Sequence, residues 1–162
     1  MKRIPFILII AAAAMIFMVS CNAIYENGEE LAASIQNDIS EILVDELKAK
    51  IENGEDFLLI DVRQAREYDN VTIPGALNIP RGMLEITIRN DKFWEEEFLY
   101  TPENDDEIVV YCKLGYRGAL SAMALQQLGF TNVKNLHGGI LSWDPDIDKN
   151  APKKSGGGGC GD

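Results

Sequence analysis

Three cysteines and one histidine are all the thiol and imidazole chemistry in this 162-residue chain, and one of those cysteines stands in surroundings suited to reaction. Cys112 ends the strand-like run Ile108-Val109-Val110-Tyr111, which opens on three β-branched residues, and is followed by Lys113-Leu114-Gly115-Tyr116-Arg117-Gly118. Beyond that, Leu120, Met123, Ala124 and Leu128 fall at helical spacing, with Gly129 as a stop. The pattern is a buried strand, a tight turn and a helix start. A thiol at that junction meets unpaired backbone N–H groups, the positive end of a helix dipole and two cations, Lys113 and Arg117. All three favour thiolate over thiol, so Cys112 is expected to be a nucleophile near neutral pH, with the 113–118 loop holding an anion against its sulfur. A cysteine that merely ends a strand is more often a small buried hydrophobe. Gly115, Arg117 and Gly118 have no use in that reading and turn it toward the reactive one.

Positioning such a loop takes alternating strands and helices, and the sequence supplies them. Ile39–Leu43 reads as a short edge strand, and Val44–Ile51 as a helix stopped at Asn53-Gly54. Phe57–Asp61 is an apolar run suited to a buried parallel strand. Gln64–Tyr68 predicts a short helix, Ala76–Asn78 a short strand, and Arg81–Ile88 and Asp91–Phe98 two further helices. Glu107–Tyr111 is the expected central strand, followed by a helix over about Tyr116–Leu128, a last strand over Thr131–Asn135 and a helical turn over Ile140–Trp143. Alternation of this kind predicts an α/β fold, a mostly parallel sheet with helices on both faces. Ligands in such sheets bind beyond the carboxyl ends of strands, where Cys112 falls. Asp61 ends another strand at the same edge, so Asp61 and Arg63 are candidate rim residues. His137 is the one imidazole available as a general base, but beside Gly138-Gly139 it reads more readily as a rim residue. Tyr68 and Trp143 read as packing residues.

These residues carry a resemblance. Cys112-Lys113-Leu114-Gly115-Tyr116-Arg117 resembles the C-x-x-G-x-R loop of single-domain rhodaneses, the thiosulfate and persulfide sulfurtransferases. Leu58-Leu59-Ile60-Asp61-Val62-Arg63 with Glu67-Tyr68, Ile73-Pro74-Gly75-Ala76-Leu77-Asn78-Ile79-Pro80, and Gly138-Gly139 with Trp143 resemble three more of that family's segments, in order. The resemblance implies a three-layer rhodanese-like fold over about residues 39–146. It implies transfer of a sulfane sulfur from thiosulfate or a persulfide donor to a thiol acceptor through a Cys112 persulfide. Residues 113–118 would cradle that persulfide, and Asp61 and Arg63 would be chiefly architectural. The family's usual G-H-I is replaced here by Val71-Thr72-Ile73, which leaves the chemistry standing and alters the rim. Phosphatases and arsenate reductases of the same fold resemble C-x5-R, whereas Cys112 to Arg117 is C-x4-R, a loop that suits one sulfur over a phosphoryl group. A tethered sulfur carrier or docking module is the alternative from a different class. The chemistry needs no metal or organic cofactor. Cysteines at 21, 112 and 160 make no C-x-x-C, and one histidine cannot complete a zinc set.

The two ends of the chain read differently. Lys2-Arg3, the apolar run from Ile4 to Val19 and Ser20-Cys21 predict a secretory signal over residues 1–20, too short for an ordinary membrane span. Met18-Val19-Ser20-Cys21 resembles a bacterial lipobox, which implies a lipid on Cys21 and a place in the cell envelope, attached to its membrane. Residues 21–38 then read as a lipidated N-terminus and acidic tether, with a helical turn near Leu31–Ile35. Residues 147–162 read as a flexible glycine-rich tail. Its Cys160 is a candidate accessory thiol that could pair with Cys112, accept its persulfide, link to another chain or stay idle. The whole chain carries a net charge of −11, and the part after residue 20 has 13 basic against 26 acidic side chains. That balance, with no basic stripe, argues against nucleic acid as a partner and against an electrostatic grip on anionic lipid.

Overall fold

The computed structural model describes residues 23–147; the expected signal segment, Cys21 and the tail with Cys160 lie outside them. Helix α1 (Gly28–Ile35) and a 3-10 turn (Gln36–Asp38) lead into strand β1 (Ser40–Ile42) and helix α2 (Val44–Asn53). Then follow β2 (Leu58–Asp61), α3 (Ala65–Tyr68), β3 (Leu77–Asn78), α4 (Leu84–Thr87) and α5 (Asp91–Glu96). The chain continues through β4 (Ile108–Tyr111), α6 (Tyr116–Gln127), β5 (Val133–Leu136) and α7 (Ile140–Trp143). The strands form one sheet in the order β1-β5-β4-β2-β3 with every pairing parallel, as the alternating pattern requires.

β4 is central and buried on both faces, in keeping with its unbroken run of Ile, two Val and Tyr. Its side chains alternate between two cores. Ile108, Val110 and Cys112 join Ile60, Val62 and Val133 under α4, α5 and α6, with Leu84, Trp94, Ala122 and Leu125. Val109 and Tyr111 join Ile42, Leu59 and Leu136 under α2 and α7, with Leu47 and Ile140. The pairing of Asp61 with Tyr111 brings the ends of β2 and β4 level, so Asp61 and Cys112 leave the sheet at one edge.

Three expectations are corrected. The stretch read as an acidic tether contains the eight-residue α1, whose buried Ala32 and Ile35 turn inward beside α6. Asn27 fastens its start, its Oδ1 accepting from the Glu30 amide at 2.9 Å. The helix expected over Arg81–Ile88 is confined to Leu84–Thr87, because Pro80, Arg81 and Gly82 form a turn closed by the Met83 amide donating to the Pro80 carbonyl at 2.7 Å. The last strand is shifted forward to Val133–Leu136. Thr131 is drawn off the ladder by its amide, which donates to the Asn104 carbonyl at 2.7 Å.

Candidate active site

Cys112 follows directly on β4 and is only 2 % exposed, at the base of the loop that begins α6. The cap of that helix is Gly115, in the left-handed region at φ 97°, with no side-chain cap and no acidic residue in the first turn. A Cβ there would be strained, so glycine is required. Its amide donates to the Cys112 Sγ at 3.2 Å. The first amide to be satisfied inside the helix is that of Ala119, which donates to the Gly115 carbonyl at 2.8 Å. The amides of Tyr116, Arg117 and Gly118 therefore have no intrahelical acceptor and remain as donors at a helix start. This arrangement can stabilise negative charge at the sulfur or on an atom bonded to it.

The loop is held from behind by the glycine pair. Gly139, at φ 62°, lies so close that a Cβ would stand 2.4 Å from the Cys112 carbonyl oxygen and 2.7 Å from the Lys113 carbonyl. That approach lets the Ile140 and Leu141 amides donate to the Cys112 and Lys113 carbonyls, at 2.8 and 3.2 Å. Gly118 plays the same part on the other flank, where a Cβ would stand 2.1 Å from the Asn135 Oδ1. That oxygen is buried and has no hydrogen-bond partner.

The other strand end is rigid. Asp61 and Arg63 are both buried and paired, Nη2 to Oδ2 at 2.6 Å, with the Arg63 amide donating to Oδ1 at 2.9 Å. Arg63 also donates to the Val71 carbonyl at 2.6 Å. Burial is the strongest single influence and opposes its charge, but the Asp61 hydrogen bonds together with the charge of Asp61 and its acidic neighbours outweigh it and hold the guanidinium above its usual value. Asn78 clips the same turn, its Nδ2 donating to the Asp61 and Arg63 carbonyls at 2.9 and 3.0 Å. Where the resemblance led to a histidine, Thr72 meets the buried Tyr111 hydroxyl at 2.8 Å. Burial, seconded by the charge of Asp61, drives that phenol well above its ordinary range. Asp61 and Arg63 thus frame the edge without touching the sulfur.

Of the loop residues, Leu114 and Tyr116 are exposed at 49 % and 40 %. Lys113 is half-buried, and its backbone is engaged as described. Arg117 brings in a residue the site reading left out. Its Nη1 and Nη2 donate to the two carboxylate oxygens of Glu67, both at 3.0 Å. Glu67 sits at the start of α3, where its carboxylate also accepts from the Gln64 amide at 3.1 Å. Its carboxyl is held below the usual range, first by the Arg117 hydrogen bonds. Arg117 is raised in turn, first by Glu67 and in lesser part by the neighbouring Cys112 sulfur. His137 turns toward the β1 edge, its Nδ1 2.8 Å from Glu41 Oε2, so the hydrogen bond shown to the sulfur comes from the loop and not from imidazole. Among the described residues, no group of three His, Cys, Asp or Glu could hold a metal ion.

A family model described as the rhodanese-like domain matches residues 43–146. A sulfurtransferase from Allochromatium vinosum is 31 % identical over 105 residues, covering 65 % of this chain and 88 % of the relative. A putative sulfur carrier protein from Bacillus subtilis is 30 % identical over 116 residues, covering 72 % and 57 %. An adenylyltransferase and sulfurtransferase from Candida albicans is 31 % identical over 103 residues, covering 64 % and 23 %. The chain thus spans less than two thirds of the last two relatives. Among solved structures, the human single-domain sulfurtransferase superposes with a TM-score of 0.59 at 32 % identity, over 64 % of this chain and 93 % of that one. A Rhodopseudomonas palustris protein described as a possible tyrosine phosphatase gives 0.58 at 26 % identity, over 81 % and 96 %.

Proposed function

The chain belongs to the rhodanese-like family, and from that premise we propose that it is a sulfurtransferase working through a Cys112 persulfide. The observation that carries the reading is the Gly115 amide on the Cys112 sulfur, inside a C-x4-R loop whose remaining first-turn amides are free donors. In the first step the Cys112 thiolate attacks the outer sulfur of thiosulfate. A Cys–S–S bond forms, the S–S bond of the donor breaks, and sulfite leaves with the electron pair. In the second step an acceptor thiolate takes the outer sulfur and Cys112 departs as thiolate. A persulfide donor follows the same course, with a thiolate leaving instead of sulfite. The terminal sulfur of the intermediate carries a negative charge where the amides from Leu114 to Gly118 converge. Because Glu67 occupies the Arg117 fork, the pair fixes the loop while those amides meet the donor. No step calls on a metal or organic cofactor.

The Rhodopseudomonas likeness favours phosphate hydrolysis as a second reading. Two features oppose it: the loop is one residue short of C-x5-R, and both guanidinium amines that would grip a phosphoryl group are held by Glu67. The likeness to a sulfur carrier supports the third reading, loading without turnover. Steady-state thiocyanate formation from thiosulfate and cyanide, measured beside p-nitrophenyl phosphate hydrolysis, separates the three. The sulfurtransferase reading expects thiocyanate turnover that is absent in Cys112→Ala, with no phosphatase activity. Phosphate release without thiocyanate overturns it.

We further propose that residues 1–20 are a signal, that Cys21 carries a lipid and that the domain works at the membrane of the cell envelope. Lys2-Arg3, the apolar run and Met18-Val19-Ser20-Cys21 support this.

A further inference from the structure

We propose that the catalytic mouth faces the bilayer: the short segment joining Cys21 to α1 holds the Cys112 loop against the lipid surface. This rests on the lipid-anchored reading above, and the geometry of α1 extends it. α1 packs against α6 through Ala32 and Ile35, so its direction is fixed by the helix that carries the active-site loop. Its first residues, Asn27, Gly28 and Glu29, form one wall of an open cleft of about 610 Å³. The opposite wall is Tyr116, Arg117 and Leu120, the start of α6. The chain is already fastened at Glu26, whose amide donates to Glu30 Oε2 at 2.8 Å.

Glu26 stands five residue steps beyond Cys21, and a fully extended chain covers at most about 3.5 Å per step, a reach of about 18 Å. A domain of this size has a radius of gyration near 14 Å, hence a diameter of about 35 Å. Resting the opposite end of the sheet on the bilayer would lift Glu26 about 30 Å away, beyond that reach. The strand starts, with Leu99 and Tyr100 beside Phe57 and Glu107, are therefore turned to solvent. The side chains on the mouth side suit a lipid boundary. Ile24 is 97 % exposed, and the exposed Leu114 and Tyr116 flank Cys112. The Arg117 charge is already matched by Glu67, so contact depends on the anchor and these groups, not on attraction to anionic lipid. Small donors still enter from the side, whereas bulky soluble acceptors are disfavoured against thiols presented at the membrane surface.

Energy transfer from a single fluorophore to a headgroup-labelled lipid tests this in phosphatidylcholine vesicles. The protein is the full lipidated chain carrying Cys112→Ser and Cys160→Ser, labelled at either Leu114→Cys or Tyr100→Cys. The two ends of the sheet are at least ~13 Å apart, so the label at 114 should transfer about twofold more efficiently or better. A Gly/Ser insertion of about 30 residues between Asn22 and Ala23, long enough to release the domain, should abolish the difference. Flotation with the vesicles, lost on Cys21→Ser, reads the anchoring separately. Flotation with equal transfer from both labels, or more from position 100, overturns the orientation alone. Failure to float overturns the anchored reading and the orientation with it.

Discussion

Glu67 grips Arg117 with both carboxylate oxygens, and this pair sets how the Cys112 loop presents itself to a donor. The Glu67 carboxyl is lowered, first by the Arg117 hydrogen bonds, so its folded form titrates below the unfolded value of about 4.3. The pair's contribution to stability is therefore complete above about pH 4.3 and is lost as pH falls through the lower folded value. Both groups are partly exposed, which limits that contribution to about 1 kcal/mol or less. Glu67→Gln should lower the melting temperature by a few degrees at pH 7, and the gap should close in strong acid. Calorimetry at the two pH values checks it, and a gap that persists in acid would contradict it. With the loop loosened, kcat/KM for thiosulfate should fall about tenfold, a loss near 1.4 kcal/mol. Cys112 and its loop were legible in the sequence because one continuous stretch carries strand, turn and helix start. Glu67 was visible only as part of a resembling segment. Its partner lies 50 residues further on, and a side-chain pair between the first turns of two separate helices leaves no local periodicity to read.

The helix start works because two other elements come unusually close to it. Gly139→Ala would drive a Cβ into the Cys112 and Lys113 backbone at a positive φ. It should cost about 2–4 kcal/mol in denaturant unfolding, combining backbone strain with overpacking. Gly118→Ala meets a side-chain atom instead, the Asn135 Oδ1. It should cost about 1–3 kcal/mol, and adding Asn135→Ala should restore part of that loss, a coupling of about 1 kcal/mol in a double-mutant cycle. Full additivity would show that the contact is not what makes Gly118 necessary. The parallel sheet and the strand–helix alternation followed from β-branched runs and glycine stops. α1 is less legible because Glu29 and Glu30 open it just after Glu26, and only Ala32 and Ile35 of its residues are buried. So narrow a stripe gives a weak helical signal. Thr131 left the expected strand for a carbonyl in a distant loop, which no window of sequence contains.

For the molecule as a whole, α1 makes the domain larger than the spacing of strands and helices suggested. Ile35→Ala should destabilise it by about 2–4 kcal/mol, since the side chain packs into the core that also holds Cys112. An unchanged denaturation midpoint would mean that α1 adds no stability. The acidic balance of the chain leaves positive potential for an anionic donor to the Cys112 loop itself, so the account stands or falls on whether sulfur is held there. The most direct measurement is the intact mass of the protein after brief exposure to thiosulfate, followed by peptide mapping and repeated with Cys112→Ser. The account predicts a gain of one sulfur atom located on Cys112, removable by a thiol and absent in the variant. An unchanged mass with both thiosulfate and a persulfide donor, or sulfur located elsewhere in the chain, would contradict it.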